Sequence, residues 1–120
     1  MTYVIKQLDV IIDNESSIQL VALDADNIFT ITGVIKLDIP NNISTAAISS
    51  LYVKEKYRNN SIGTNLIEKC CDLAKSKEYA TIVLQVLKDN IAAIHLYKKL
   101  GFILACEYED GYLLFTKTLN

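Results

Sequence analysis

The chain is short of the residues that break regular structure. One proline (Pro40) and four glycines serve 120 residues, which predicts long elements joined by short loops. Basic charge is not in excess: 12 lysines and arginines face 14 acidic residues, a formal net charge of −2. No global field therefore favours nucleic acid or an anionic membrane surface. No run approaches the roughly 18–20 apolar residues of a membrane span. The start, MTYVIKQLDVIID, lacks the basic-then-apolar pattern of a secretory leader. Three cysteines, Cys70, Cys71 and Cys106, form neither an even disulfide framework nor a metal-ligand spacing. These absences predict a cytoplasmic chain with no metal, no nucleic-acid partner and no membrane partner. The length suits one domain over residues 1–120 with a single core.

Helical periodicity is also missing from the first 50 residues. In its place TYVIKQL, SIQLVALD, IFTITGVIKLDI and AAISSLYV read as strands rich in Ile, Val, Thr and aromatics. The clusters DNESS, DADN and PNNIS separate them as turns. From Ile62 the rhythm changes. Ile62, Leu66, Ile67, Cys70, Leu73 and Ala74 recur at three and four, predicting an amphipathic helix that ends near Lys77. Lys69, Asp72, Lys75 and Ser76 form its wet face, and at least one of Cys70 and Cys71 should be a buried small hydrophobe. YATIVLQVL reads as a strand apolar on both faces, hence central. Asp89 or Asn90 can cap a second helix with Ile91, Ala93, Ile94, Tyr97 and Leu100 as apolar positions, stopped by Gly101. FILACEYE and GYLLFTKTL follow as strands around an EDG turn. The order is β-β-β-β-α-β-α-β-β, an α+β fold of about seven strands and two helices. A right-handed crossover makes the fourth and fifth strands parallel within a mixed, largely antiparallel sheet.

The stretch YRNNSIGTNL, Tyr57 to Leu66, decides the functional reading. A helix start after a strand turns unpaired N–H groups and a positive dipole end outward, an anion site in waiting. Lys54, Lys56 and Arg58 precede the turn, and Gly63 lets a ligand approach the backbone. Asn59, Asn60 and Ser61 suit turn conformations. Taken alone, the fragment reads more often as a polar turn before an ordinary helix.

Two motifs taken together resolve it. LYVKEKYRNNSIGTNLI resembles the acetyl-CoA motif of the GCN5-related N-acetyltransferase (GNAT) superfamily, in which a loop Arg/Gln-x-x-Gly-x-Gly/Ala opens a helix. NIAAIHLYKKLGF resembles the second motif of that superfamily, Asn-x-x-Ala-x-x-Leu-Tyr-x-x-x-Gly-Phe, met by Asn90, Ala93, Leu96, Tyr97, Gly101 and Phe102. The resemblance covers roughly residues 17–118. Two departures stand out. Ser61 occupies the place of the first glycine, at a cost of about 1 kcal/mol if a positive φ is needed there. The two helices that usually follow the first strand, and wall the acceptor site, are missing.

The resemblance implies an N-acetyltransferase that uses acetyl-CoA and passes the acetyl group directly to an amine acceptor. The pyrophosphate would rest on the N–H groups of Arg58, Asn59, Asn60, Ser61, Ile62, Gly63 and Thr64. Leu51, Tyr52 and Val53 would hold the pantetheine arm along the fourth strand, with the Leu51 N–H polarising the thioester carbonyl. Asn90 and Ala93 would border that arm, with Asn90 capping its helix at the same time. Arg58 would either screen phosphate or fork to a surface carboxylate. Tyr97 would give a proton to the departing thiolate; otherwise it is a packed tyrosine with its hydroxyl on a backbone carbonyl. No general base is named. Ser49 and Ser50 stand where many relatives carry a glutamate, and Asp38, Glu107, Tyr108 and Asp110 are not separated by spacing. His95, two residues before Tyr97, points to another helix face and reads as a surface or packing residue. Cys106 reads as a buried strand cysteine. The alternative function is a non-catalytic CoA-binding or interaction module. The first two strands should leave an apolar flank that a second copy covers, giving a homodimer.

Overall fold

The computed structural model describes the backbone of residues 2–12 and 15–119, and the side chains of these residues apart from 7–12 and 15. Nine regular elements follow in the expected order: β1 (Tyr3–Ile12), β2 (Glu15–Asp24), β3 (Asn27–Ile39), β4 (Thr45–Val53), α1 (Ile62–Ser76), β5 (Thr81–Leu87), α2 (Ile91–Lys99), β6 (Ile103–Glu107) and β7 (Tyr112–Thr118). A short 3-10 turn over Glu55–Tyr57, not foreseen in the sequence, leads from β4 toward α1. The expected DNESS turn is shorter than its letters suggest. Glu15, Ser16 and Ser17 already pair within β2, and Asp13 and Asn14 lie outside the described residues.

The strands form a single sheet in the order β1-β2-β3-β4-β5-β7-β6. Only the β4–β5 pair is parallel, so the sheet is mixed as expected. Alternation sends Ile18, Leu20 and Ala22 of β2, Ile35, Leu37 and Ile39 of β3, and Ala46 and Ile48 of β4 to one face, where they are buried. Onto that face α1 lays Leu66, Ile67, Cys70 and Ala74. Cys70 and Cys71 are both buried, and burial, aided by Cys71, pushes the Cys70 thiol up to about 12.

α2 covers the same face further along. Ile48 of β4 stands beside Leu84 of β5, which stands opposite Phe115 of β7. The Tyr97 ring of α2 packs against Phe115 at 6.4 Å and Phe102 at 6.1 Å. Both helices therefore lie on one side of the sheet. The other side, with Val34, Ala47, Val83 and Leu114, stays half-buried.

Three expectations need correction. β5 is central in the order, yet its second face is open: Val83 is half-buried while Gln85 and Leu87 are exposed. Its apolar letters reflect a sheet covered on one side only. Ile91 is exposed, because it sits in the first turn of α2, before the helix reaches the core. Cys106 is exposed, since β6 is an edge strand paired only with β7. The apolar flank expected of the first two strands falls largely on residues 7–15, whose side chains lie outside the described residues.

Irregularities on β3 and β4 shape the sheet near α1. On β3 the register shifts beside Thr32, whose buried hydroxyl donates to the Ala22 carbonyl at 3.0 Å. On β4 Ser50 and Leu51 together face Ile35 of β3, and Ser50 takes a left-handed φ of 61°. A non-glycine residue there is uncommon and marks a deliberate bend.

Candidate active site

The β4 bulge coincides with a parting of strands. The β4–β5 ladder runs from Thr45–Thr81 to Ile48–Leu84 and stops, although β4 continues to Val53 and β5 to Leu87. The Lys54 N–H donates to Thr32 of β3 at 2.9 Å. Backbone alternation then turns the N–H and C=O groups of Leu51 and Val53 away from β3, into the gap beside β5. A cavity of about 520 Å³ fills this gap, bordered by Ser49, Ser50, Leu51, Gln85, Asn90 and Tyr97. Its size suits a small-molecule ligand.

Tyr97 is buried apart from this opening. Among the described residues no group accepts from or donates to its hydroxyl, so the alternative of a hydroxyl held by a backbone carbonyl is not what the structure has. Burial pushes its phenol above the usual tyrosine value, which keeps the proton on the oxygen at neutral pH. Asn90 caps α2, its side-chain oxygen accepting from the Ala93 N–H at 3.3 Å, and also borders the cavity.

A second cavity of about 480 Å³ lies at the start of α1, lined by Val53, Arg58, Asn59, Ser61, Gly63, Thr64, Ala93 and Leu96 among others. α2 thus lines both cavities, with Ala93 and Leu96 at one and Asn90 and Tyr97 at the other. The loop is built from left-handed residues: Asn59 has φ 65° and Ser61 φ 63°. The positive φ expected for a glycine at position 61 is therefore present, and serine bears the strain. Its side chain caps nothing. Among the described residues the N–H groups from Asn59 to Thr64 donate to no protein acceptor. Such an arc of free amides at a helix N-terminus suits an anion. The Arg58 N–H does not belong to it, because it donates to the Glu55 carbonyl at 3.2 Å.

The side chains around the arc mostly hold the loop. Arg58 donates through Nε to the Val53 carbonyl at 2.9 Å and lies 5.9 Å from the Tyr52 ring. Among the described residues no carboxylate pairs with its guanidinium, and Arg58 lines the second cavity. Asn60 donates to the Tyr57 and Arg58 carbonyls at 3.2 and 3.1 Å and borders neither cavity. Tyr52 pairs with Val34 and borders neither cavity; alternation puts it on the opposite side from Leu51 and Val53.

One positioning residue escaped the sequence reading. Gly33 of β3 lies beneath the start of α1: a Cβ there would meet Ile62 Cγ2 at 3.1 Å, Tyr52 O at 3.2 Å and Val53 Cγ2 at 3.3 Å. Its bare backbone lets Ile62 bury against the sheet and fixes where the amide arc sits. A lone glycine inside a strand pattern is the signal that points to such a close approach. Gly63 differs, because a Cβ there would meet only ordinary contacts, Val53 Cγ2 at 3.8 Å and Leu96 Cδ2 at 4.0 Å. All three residues line the second cavity, so the room kept by Gly63 is room for a ligand.

Comparison with known proteins agrees with this geometry. The model of the Acetyltransferase (GNAT) family matches residues 2–102. N-alpha-acetyltransferase 30 of Schizosaccharomyces pombe is 33% identical over 93 residues, 77% of this chain and 59% of that protein. The Bacillus subtilis protein described as "Uncharacterized N-acetyltransferase YobR" is 38% identical over 55 residues, 46% of this chain and 22% of its own length. The chain thus spans well under two thirds of these relatives. In fold it is similar to the PaiA N-acetyltransferase of Thermoplasma acidophilum in complex with coenzyme A, with TM-score 0.75, 24% identity, and coverage of 85% of this chain and 60% of that one.

Proposed function

Because the chain belongs to the GNAT family of acetyltransferases, we propose that it transfers the acetyl group of acetyl-CoA directly to an amine. The observation that carries this reading is the pairing of two features along α2. An arc of unpartnered amides borders one of the cavities that α2 lines, and a strand gap holding an unpartnered phenol forms the other. Oriented amides and a helix dipole suit a diphosphate. The exposed backbone of Leu51 and Val53 suits an extended amide-bearing arm, received as an added strand would be; the Val53 carbonyl must first leave Arg58 Nε for this. The Leu51 N–H then lies where it can stabilise negative charge on the acyl oxygen. Tyr97, protonated and facing the gap, supplies the proton that the departing sulfur needs. The sheet face left without a helix is where the amine acceptor approaches, and where a second copy of the chain would sit in a homodimer.

The test is thiol release from acetyl-CoA with a panel of amines: peptide N-termini, lysine side chains and polyamines. Acceptor-dependent release, one acetylated amine per thiol, is the expected result. Micromolar acetyl-CoA binding in calorimetry without release would instead identify a binding module, and no binding would reject both.

A further inference from the structure

An amine acceptor arrives as an ammonium and must lose a proton before its nitrogen can attack. We propose that Asp38 of β3 takes this proton through the hydroxyl of Ser49 of β4, an inference that rests on the acetyltransferase reading above. Ser49 Oγ donates to Asp38 Oδ2 at 3.0 Å. Ser49 borders the cavity in the strand gap, whereas Asp38 does not, so the hydroxyl is the carboxylate's route to the reaction site. It stands directly after the last β4–β5 pair and directly before the Ser50 bulge. Leu51 and Tyr97 border the same cavity.

The chemistry of the pair fits its place. A serine hydroxyl has one hydrogen and two lone pairs, and an ammonium can only donate. With the hydrogen committed to Asp38, Ser49 offers the cavity an acceptor. Among the described residues the charged group facing Asp38 is Lys36 on its own strand, Nζ to Oδ1 3.5 Å, with both side chains well exposed. Its cross-strand neighbours, Ser17 and Ala47, carry no charge. Lys36 holds one carboxylate oxygen and leaves the other to Ser49. The remaining acidic candidates are engaged elsewhere. Asp110 accepts from the backbone N–H of Tyr112 at 3.1 Å, within the last hairpin. Glu107 pairs with Lys88 at 3.9 Å. Neither is bonded to a hydroxyl of the gap.

In this scheme the Ser49 oxygen takes one N–H proton of the ammonium as its own hydrogen passes to Asp38. The neutral nitrogen forms the C–N bond, the C–S bond breaks, and the sulfur takes the phenol proton of Tyr97. The tyrosinate then takes the second proton from the nitrogen, and Asp38 releases the first to water.

The experiment compares wild type with Asp38→Asn, Asp38→Glu, Ser49→Ala and Ser49→Thr across pH, with acetyl-CoA affinity measured by calorimetry. Asp38→Asn and Ser49→Ala should each lower kcat/KM for the amine by roughly 10²-fold near neutral pH, with acetyl-CoA affinity unchanged. Asp38→Glu and Ser49→Thr should restore much of the rate. The deficit should shrink as pH nears the amine's own pKa, about 10.4 for a lysine-type acceptor, because a neutral amine needs no base. A merely structural pair would leave a deficit independent of pH, which would overturn the relay. A folded Asp38→Asn chain with full activity at neutral pH would overturn it too. A wild type that binds acetyl-CoA but releases no thiol with any amine would reject the functional reading, and the relay with it.

Discussion

The two ends of the cleft are made of different material. At the start of α1 the unpartnered groups are backbone amides from Asn59 to Thr64, while Arg58 Nε and the Asn60 side chain bond carbonyls of the chain leading into the loop. In the β4–β5 gap Leu51 shares the wall with side chains that have chemistry to do, Tyr97 and Ser49. A backbone site depends on where the chain runs, so it answers to the residues that shape the path. A side-chain site answers to the identity of single groups. Substitutions at one end should therefore change binding with chemistry intact, and at the other end chemistry with binding intact.

Tyr97→Phe should separate the ends most sharply. A general acid contributes about 10²–10⁴-fold, so kcat should fall by at least about 10²-fold where chemistry limits the rate. Acetyl-CoA affinity should hold, and stability should stay within about 0.5 kcal/mol, since the hydroxyl has no hydrogen bond to lose. The direction of its pKa adds a pH signature. With the phenol pushed above its ordinary value, its acid form persists beyond the usual tyrosine range. Wild-type kcat should therefore not fall on this account until pH exceeds about 10. Rate–pH profiles of both proteins check this.

Gly33→Ala acts at the other end, through the path. Its Cβ would press on Ile62 and on the Tyr52 carbonyl, an overpacking that typically costs about 1–3 kcal/mol. Denaturant unfolding should show the loss, and calorimetry should show weaker acetyl-CoA binding because the amide arc moves with Ile62. Gly63→Ala should dissociate the two readouts. The contacts are ordinary and alanine favours a helix interior by about 0.5–1 kcal/mol, so stability should rise or hold. Affinity should fall by about tenfold, because the methyl enters the ligand's space. Ser61→Gly should have the smallest effect. It relieves a left-handed serine worth about 1 kcal/mol, partly offset by a freer unfolded chain. A thermal midpoint raised by a few degrees, with affinity altered less than about twofold, would show that the serine is tolerated rather than used.

Much of this was legible in one dimension. The helix of Ile62–Ser76 and the succession of strands along the chain follow from local periodicity and turn chemistry, which neighbouring letters encode, while the loop from Arg58 to Thr64 needed the family resemblance. The strain at Ser61 was legible only as a condition, a cost if the loop turned left-handed there, and the loop does. What escaped depends on strand register. Gly33 matters because Val53 stands opposite it, with Ile62 laid on top. Asp38 meets Ser49 because the β3–β4 register sets Lys36 opposite Ser49 and Asp38 on its diagonal. Cys106 was misread as buried because its edge position depends on β7 returning beside β5. None of these pairings leaves a spacing that a single chain of letters displays.

The account stands on the claim that backbone amides hold the diphosphate while the strand gap holds the thioester. A crystal structure of the chain grown with coenzyme A tests it most directly. The account predicts diphosphate oxygens within hydrogen-bonding distance of the N–H groups of Asn59–Thr64, and the sulfur in the β4–β5 gap within reach of the Tyr97 hydroxyl. A diphosphate bound away from that arc, or a sulfur outside the gap, would contradict it.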